Sequence, residues 1–214
     1  RKHVPEDDTT VFDQCVETIV RQVSDIGRMV DEFSAFARMP TPKMEAVDLA
    51  EITESAVFAQ RVASPSIRVT LSRPDGEVRV ECDGRLVAQA IANILKNAAE
   101  SVSARMEADG GKTGGTIAVS ARAEHGFAVV EAVDDGLGWP SADKSRLTEP
   151  YMTTREKGTG LGLAIVRRVM EDHGGRLELD DPDNASGAVV RLAFPLLDAE
   201  EARAETAADS PTEA

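Results

Sequence analysis

Apolar residues near the start of the chain recur at steps of four and three: Phe12, Val16, Ile19, Val23, Ile26, Val30, Phe33 and Ala37. Held over more than three heptads, this spacing predicts a long helix with a narrow a/d seam. Gln22, Asp25, Arg28, Asp31 and Glu32 fill its other faces, so the seam suits a bundle or coiled-coil dimer better than packing on its own domain. Pro40 and Pro42 end the helix, and the residues up to about Glu45 read as a linker. A second unit starts near Val47, where Asp48 can cap a helix through about Gln60. Ile67, Val69 and Leu71 alternate with polar residues, as do Val78 and Val80, with the turn Arg73-Pro74-Asp75-Gly76 between them. Leu86, Val87, Ala90, Ile91, Ile94, Leu95, Ala98 and Val102 predict a helix over about Gly84–Ala108. Residues 116–123 and 127–133 predict a hairpin turning at Glu124-His125-Gly126, and 176–179 and 188–194 two last strands. The mixture predicts an α/β (α+β) two-layer sandwich, one sheet covered by helices on one face, preceded by the long helix.

Composition narrows the function classes. A net charge of −14 and a pI of about 4.7 argue against nucleic acid as a partner. Part of the acidity lies in 198–214, an Ala-, Ser- and Thr-containing stretch that reads as a disordered tail. Cys15 and Cys82 lack metal-ligand neighbours and fit a reducing compartment. No apolar run is long enough to span a bilayer and no signal peptide is visible, so the expected location is cytoplasmic, without membrane contact. Starting at Arg1 rather than Met, the sequence reads as a fragment of a longer chain.

Three segments carry candidate chemistry. Gly158, Gly160 and Gly162 alternate and run into an amphipathic helix. Glycines let backbone N–H groups approach a ligand, and the helix N-terminus adds free donors and a positive dipole end, so an anion such as phosphate is the expected occupant. A Rossmann fingerprint fails here because Leu163 stands at the third glycine position. A Walker A loop ending Gly111-Lys112-Thr113 fails because its first glycine would be Met106. On the long helix Asn93 and Asn97 are four apart, with Glu100 three further on, and are expected on one polar face. An Asn carbonyl is a hard oxygen suited to Mg²⁺. After the strand 127–133 comes Asp134-Asp135-Gly136-Leu137-Gly138. A carboxylate at a strand end accepts a hydrogen bond, and adenine offers an amine where guanine offers a carbonyl, so Asp134 would select adenine.

N-x-x-x-N on a helix, then D-x-G-x-G, then G-x-G-x-G before a helix, resembles in that order the N, G1 and G2 boxes of the histidine-kinase ATP-binding domain. This is the Bergerat fold shared with Hsp90, GyrB and MutL. NILKNAAES, VDDGLGW, EPYMTTREKGTGLGLAIV and SGAVVRLAFP carry the resemblance over about Val47 to Leu197, and FSAFARMP resembles the end of the second helix of a dimerisation and phosphotransfer domain. NILKNAAE, EPYMTTREKGTGLGL and IGRMVDEFSAFARMP resemble NtrY-type nitrogen-regulation sensor kinases. The resemblance implies that 1–40 is that second helix, 41–46 a linker, 47–197 the catalytic ATP-binding domain and 198–214 a tail. It implies ATP with Mg²⁺ held by Asn97 and a second polar contact at Asn93. Asp134 would meet adenine, and Gly136 and Gly138 would line the ring. Glu149–Lys157 would be a mobile lid with Tyr151 in place of the family's Phe. Arg155 and Lys96 would help neutralise the phosphates, Gly158, Gly160 and Gly162 would meet them by backbone, and Thr153, Thr154, Lys157, Thr159 and Leu161 would be further ATP-binding residues. Glu100 departs from the basic residue many relatives have.

The parent would pass the γ-phosphoryl group to a histidine and on to a response-regulator receiver domain, as a homodimer through the 12–38 helix and as the cytosolic part of a membrane-anchored protein. The H-E-x-x-N-P acceptor box is missing, so no catalytic residue is assigned. His3, His125 and His173 read as ordinary surface histidines, and the chain reads as beginning after the first helix of the phosphotransfer domain. An Hsp90- or MutL-like ATPase would need a Glu at Asn93 as general base; a nucleotide-binding pseudokinase or interaction module is the other alternative.

Overall fold

The computed structural model describes residues 6–37, 39–74, 76–140, 143–153, 159–183 and 186–197. The seam helix, α1, runs Glu6–Ala37. Its apolar stripe stands in solvent: Phe12, Ile19, Val23 and Ile26 are 65%, 61%, 62% and 59% exposed. An apolar stripe of this length marks an interaction surface. Replacing Ile19 and Ile26 by Lys is therefore expected to abolish self-association in sedimentation; unchanged association would place the interface elsewhere.

The segment read as the end of a linker already belongs to the folded body. β1 (Glu45–Asp48) pairs antiparallel with β3 (Arg79–Cys82) as a two-stranded sheet. Asp48 caps α2 (Leu49–Ala63) as expected, its Oδ1 accepting from Ala50 N at 2.9 Å, and the same oxygen accepts from Val78 N at 3.2 Å. β2 (Ile67–Ser72) lies across the turn from β3 but in another sheet: it pairs in parallel with β4 (Gly115–Glu124). A parallel pair needs a long crossover, and the intervening chain includes α3 (Gly84–Ala108). β4 and β5 (Phe127–Asp134) form the expected hairpin, its two turn residues both left-handed, His125 at φ 49° and Gly126 at φ 81°. A short 3₁₀ turn (Lys144–Thr148), α4 (Gly162–Asp172), β6 (Arg176–Asp180) and β7 (Ala188–Pro195) follow. The five-stranded order is β2-β4-β5-β7-β6.

One face of that sheet meets the helices. Val57 of α2, Ile91, Ile94 and Leu95 of α3, and Val166 and Val169 of α4 pack with Ile117, Val130, Leu192 and Phe194 in one buried cluster. Each such side chain contributes about 1.5–3 kcal/mol on burial, which locks α3 and α4 against the ends of β5 and β7.

His173, read as a surface residue, is buried. Its Nε2 accepts the Asp83 N–H at 2.9 Å and its Nδ1 lies 2.7 Å from Val169 O, the arrangement of a ring that donates from Nδ1. Asp83 in turn caps α3 through Arg85 N and Leu86 N, and accepts Lys43 N at 3.0 Å. The segment after α1, the start of α3 and the end of α4 thus meet at one residue. Burial works against the Asp83 charge, but the bonds from Lys43 N, the Arg85 side chain and the Leu86 and Arg85 backbone outweigh it and hold the carboxyl below its ordinary 3.8. A folded-state pKa below the unfolded one means stability that is present above pH 3.8 and lost as pH falls through the lower folded value. Asp83→Asn is expected to cost about 1 kcal/mol near neutral pH and to flatten the acid limb of Tm against pH. An acid limb identical to wild type would contradict this role.

Candidate nucleotide site

α3 carries Asn93, Asn97, Ser101 and Arg105 at four-residue steps, one slowly turning stripe along the helix. Asn97 faces the first residue of α4: a Cβ on Gly162 would lie 3.7 Å from its Nδ2 and 3.8 Å from its Oδ1. Asn93 keeps its Nδ2 buried with no hydrogen-bond partner among the described residues. A buried donor left unpaired costs about 1–3 kcal/mol, which marks a place for an acceptor. Ser101 Oγ accepts the Leu137 N–H at 3.0 Å and sits so close that a Cβ on Gly136 would lie 2.2 Å from it. Lys96 and Glu100 both line an open groove of ≈ 630 Å³ between α2 and α3, with Ala56, Ala59 and Gln60.

Strand alternation gives the two neighbouring aspartates opposite surroundings. Asp134, in step with buried Ala128, Val130 and Ala132 on β5, is 6% exposed and turns toward the helices. Its Oδ1 accepts Gly136 N at 2.8 Å, which curls the glycine loop around it. Asp135, one residue past β5, accepts Thr116 N at 3.0 Å, Thr116 Oγ1 at 2.7 Å and Arg105 of α3 at 3.2 Å. Burial opposes its charge, but the Thr116 bonds and Arg105 outweigh it and hold the carboxyl low.

The loop after β5 rests on a strand far away in sequence. A Cβ on Gly138 (φ +79°) would lie 3.0 Å from Gly187 O, and a Cβ on Gly187 (φ +129°) would lie 1.8 Å from Asp134 O. Ser186 Oγ donates to Gly136 O at 3.0 Å. Ser101, Ser186 and Gly187 were not singled out by sequence reasoning. The signal available was SGAVV as a whole, with a glycine just before a strand.

At the other end, the chain crosses itself. Tyr151 N donates to Gly160 O at 3.1 Å, and a Cβ on Gly160 would lie 2.6 Å from the Tyr151 carbonyl carbon. Tyr151 is exposed at φ 67°, and Thr153 is exposed. Thr159 Oγ1 accepts Leu161 N at 3.4 Å. Buried Leu161 stands at the N-cap of α4 with no side-chain bond, and the first turn carries no acid. A helix start without a side-chain cap or an acid in its first turn suits an outside acceptor for its leading amides, with the helix dipole behind them. Thr154, Arg155, Lys157 and Gly158 lie outside the described residues. The arrangement offers a buried carboxylate acceptor at one end and amide donors at the other, a match for an elongated ligand with an amine and an anionic tail.

Comparison with known proteins agrees. Residues 82–198 match the family described as histidine kinase-, DNA gyrase B-, and HSP90-like ATPase. The nitrogen regulation protein NtrY of Azorhizobium caulinodans is 49% identical over 193 residues, which are 90% of this chain and 24% of that protein. An NtrY-like sensor histidine kinase of Rickettsia felis is 33% identical over 86% of this chain and 30% of its own length. Against these curated relatives the chain therefore spans less than a third of their length. The mycobacterial sensor histidine kinase MprB superposes with a TM-score of 0.61 at 26% identity, covering 72% of this chain and 98% of that structure. A sheet, a motif order and a family match that all point the same way leave one assignment: this chain belongs to the histidine kinase-, DNA gyrase B- and HSP90-like ATPase family and is similar to the NtrY sensor kinases within it.

Proposed function

We propose that the chain is the ATP-binding catalytic part of a two-component sensor histidine kinase whose parent moves the γ-phosphoryl group of ATP to a histidine and then to an aspartate of a response regulator. The observation that carries the reading is Asp134, a buried carboxylate at a strand end, inside a glycine loop, on the same helix-covered side as the uncapped start of α4. Asp134 would accept the adenine amine, with Gly136 and Gly138 letting the ring lie against the backbone. The α4 amides, with Thr153, Thr154, Arg155, Lys157, Gly158, Thr159, Gly160, Leu161 and Tyr151, would hold the triphosphate. Lys96 would serve only through long-range charge, given its place in the groove.

Mg²⁺ prefers oxygen ligands, keeps several waters and is commonly held by substrate phosphates with one or two protein groups; its chemistry is to neutralise phosphate charge. The residues fit: Asn97 offers an amide oxygen beside α4, and the unpartnered Asn93 Nδ2 is left to donate to a phosphate oxygen. Phosphoryl transfer then needs positioning and charge stabilisation more than covalent help. Asn93 also weighs against a hydrolase of the Hsp90 or MutL kind, since an amide cannot take a proton from water. In the parent, α1 would be the second helix of a dimerisation bundle and the chain the cytosolic part of a membrane-anchored protein; similarity to NtrY supports a role in nitrogen regulation. No described helix is long and apolar enough to cross a membrane.

The two described histidines make poor acceptors: His173 is buried with both nitrogens engaged, and His125 sits in a hairpin turn. With γ-³²P-labelled ATP and Mg²⁺, this chain alone is expected to stay unlabelled and to hydrolyse ATP very slowly. A separately supplied phosphotransfer helix carrying an H-E-x-x-N-P box is expected to become labelled, and Asn97→Ala to stop it. Acid-labile label on this chain alone, surviving Asn97→Ala, would overturn the reading.

A further inference from the structure

Arg105 stands two helical turns beyond Asn97 on the α3 stripe and has only 19% of its side chain exposed. It gathers the elements around the base end of the site. Its guanidinium donates to Thr113 Oγ1 at 2.6 Å, to Gly114 O at 2.8 Å, to Asp109 at 3.3 Å and to Asp135 Oδ1 at 3.2 Å. The planar fork of Arg suits such multiple acceptors, where a point charge would not. Asp135 is clamped on its other side by Thr116 N and Oγ1, in the first residues of β4. The peptide between Asp134 and Asp135 is therefore held from α3, from β4 and from Gly187 packed on its carbonyl. Arg105 and Thr116 act on Asp135, the residue next to Asp134.

We propose that Arg105 and Asp135 are positioning residues for nucleobase choice: by fixing the Asp135 carboxylate between α3 and β4, they set the direction of the adjacent Asp134 carboxylate and so the preference for adenine over guanine. The proposal rests on the reading of Asp134 as the adenine acceptor. The peptide they share supplies the lever, because a backbone rotation that moves Asp135 also turns Asp134 at the end of β5. Phosphate binding, read at Asn97 in the middle of α3 and at the start of α4, is carried by different residues and is left alone.

The test is calorimetric titration of the whole 214-residue chain with ATP, GTP and inorganic tripolyphosphate, in Mg²⁺, for wild type, Asp134→Asn, Arg105→Met, Arg105→Lys, Asp135→Asn and Thr116→Val. Arg105→Met and Asp135→Asn are each expected to weaken ATP on the order of tenfold and to shrink the ATP-to-GTP ratio, with tripolyphosphate unchanged. Arg105→Lys should recover part of the ratio. Thr116→Val, which removes one bond to Asp135 and keeps the strand, should move it in the same direction and stands in should Arg105→Met fail to fold. A uniform loss for all three ligands would indicate general destabilisation and overturn the proposal. So would an unchanged ATP-to-GTP ratio in Arg105→Met and Asp135→Asn while Asp134→Asn alters it. A wild-type chain without adenine preference, or one that Asp134→Asn leaves unaltered, would instead sink the adenine reading and the proposal with it.

Discussion

Asp134→Asn is expected to bind ATP on the order of 10- to 100-fold more weakly than the wild-type chain and to lose its discrimination against GTP. The carboxylate is 6% exposed, so water does little to screen it, and one of its oxygens already accepts from Gly136 N. Asn has the same shape and can keep an acceptor toward Gly136. It then presents an amide NH₂ where Asp presented a charged acceptor. Against adenine that sets donor against donor; against guanine it offers a match to the carbonyl. Hydrogen bonds to charged groups are worth about 1.5–3 kcal/mol, and the swap removes one and adds an unpaired donor. The measurement is competition between ATP and GTP, with thermal unfolding as a control for folding. A variant that keeps the wild-type ratio would remove Asp134 from the site.

Gly187→Ala is expected to be the most damaging single methyl group in the protein. Its backbone sits at φ +129°, where an L residue is strained, and the added carbon would lie 1.8 Å from Asp134 O and 2.8 Å from Asp134 C. Both atoms are backbone at the end of β5, paired to β7 on one side and β4 on the other, so they cannot give way cheaply. The loss should be about 3 kcal/mol or more, a fall in Tm of about 10 °C. Gly126→Ala is the natural control. Its φ is +81° but nothing lies within 4 Å of the added carbon, so only the backbone term of about 1–2 kcal/mol remains. Two variants with equal Tm would show that the Gly187 contact is relieved by movement of the loop, and would remove it as the support of Asp134.

Local chemistry was legible in the sequence. Asp48 as a cap, the α3 span and the hairpin at His125-Gly126 depend on residues a few positions apart, whose side-chain period or φ preference is written into the neighbours. The order of the asparagine pair, the Asp-Gly loop and the glycine-loop helix was legible for the same reason, and it pointed to the family that residues 82–198 match. The helix period did not name the neighbour of Lys96 and Glu100: α2 packs beside them and makes the groove they line.

What the sequence by itself determined is the set of elements and the chemistry each carries. Only the tertiary structure decided which of them meet. Whether β3 would pair with β2 or β1, and whether β2 would run parallel to β4, depends on contacts between segments more than thirty residues apart, to which no local periodicity responds. His173 looked exposed because a histidine at a helix end usually is; burial came from the N-terminus of α3 arriving with an N–H to donate. Gly187 was not singled out because its reason for being glycine, the Asp134 carbonyl, sits fifty-three positions earlier in the chain and is brought to it by sheet pairing alone.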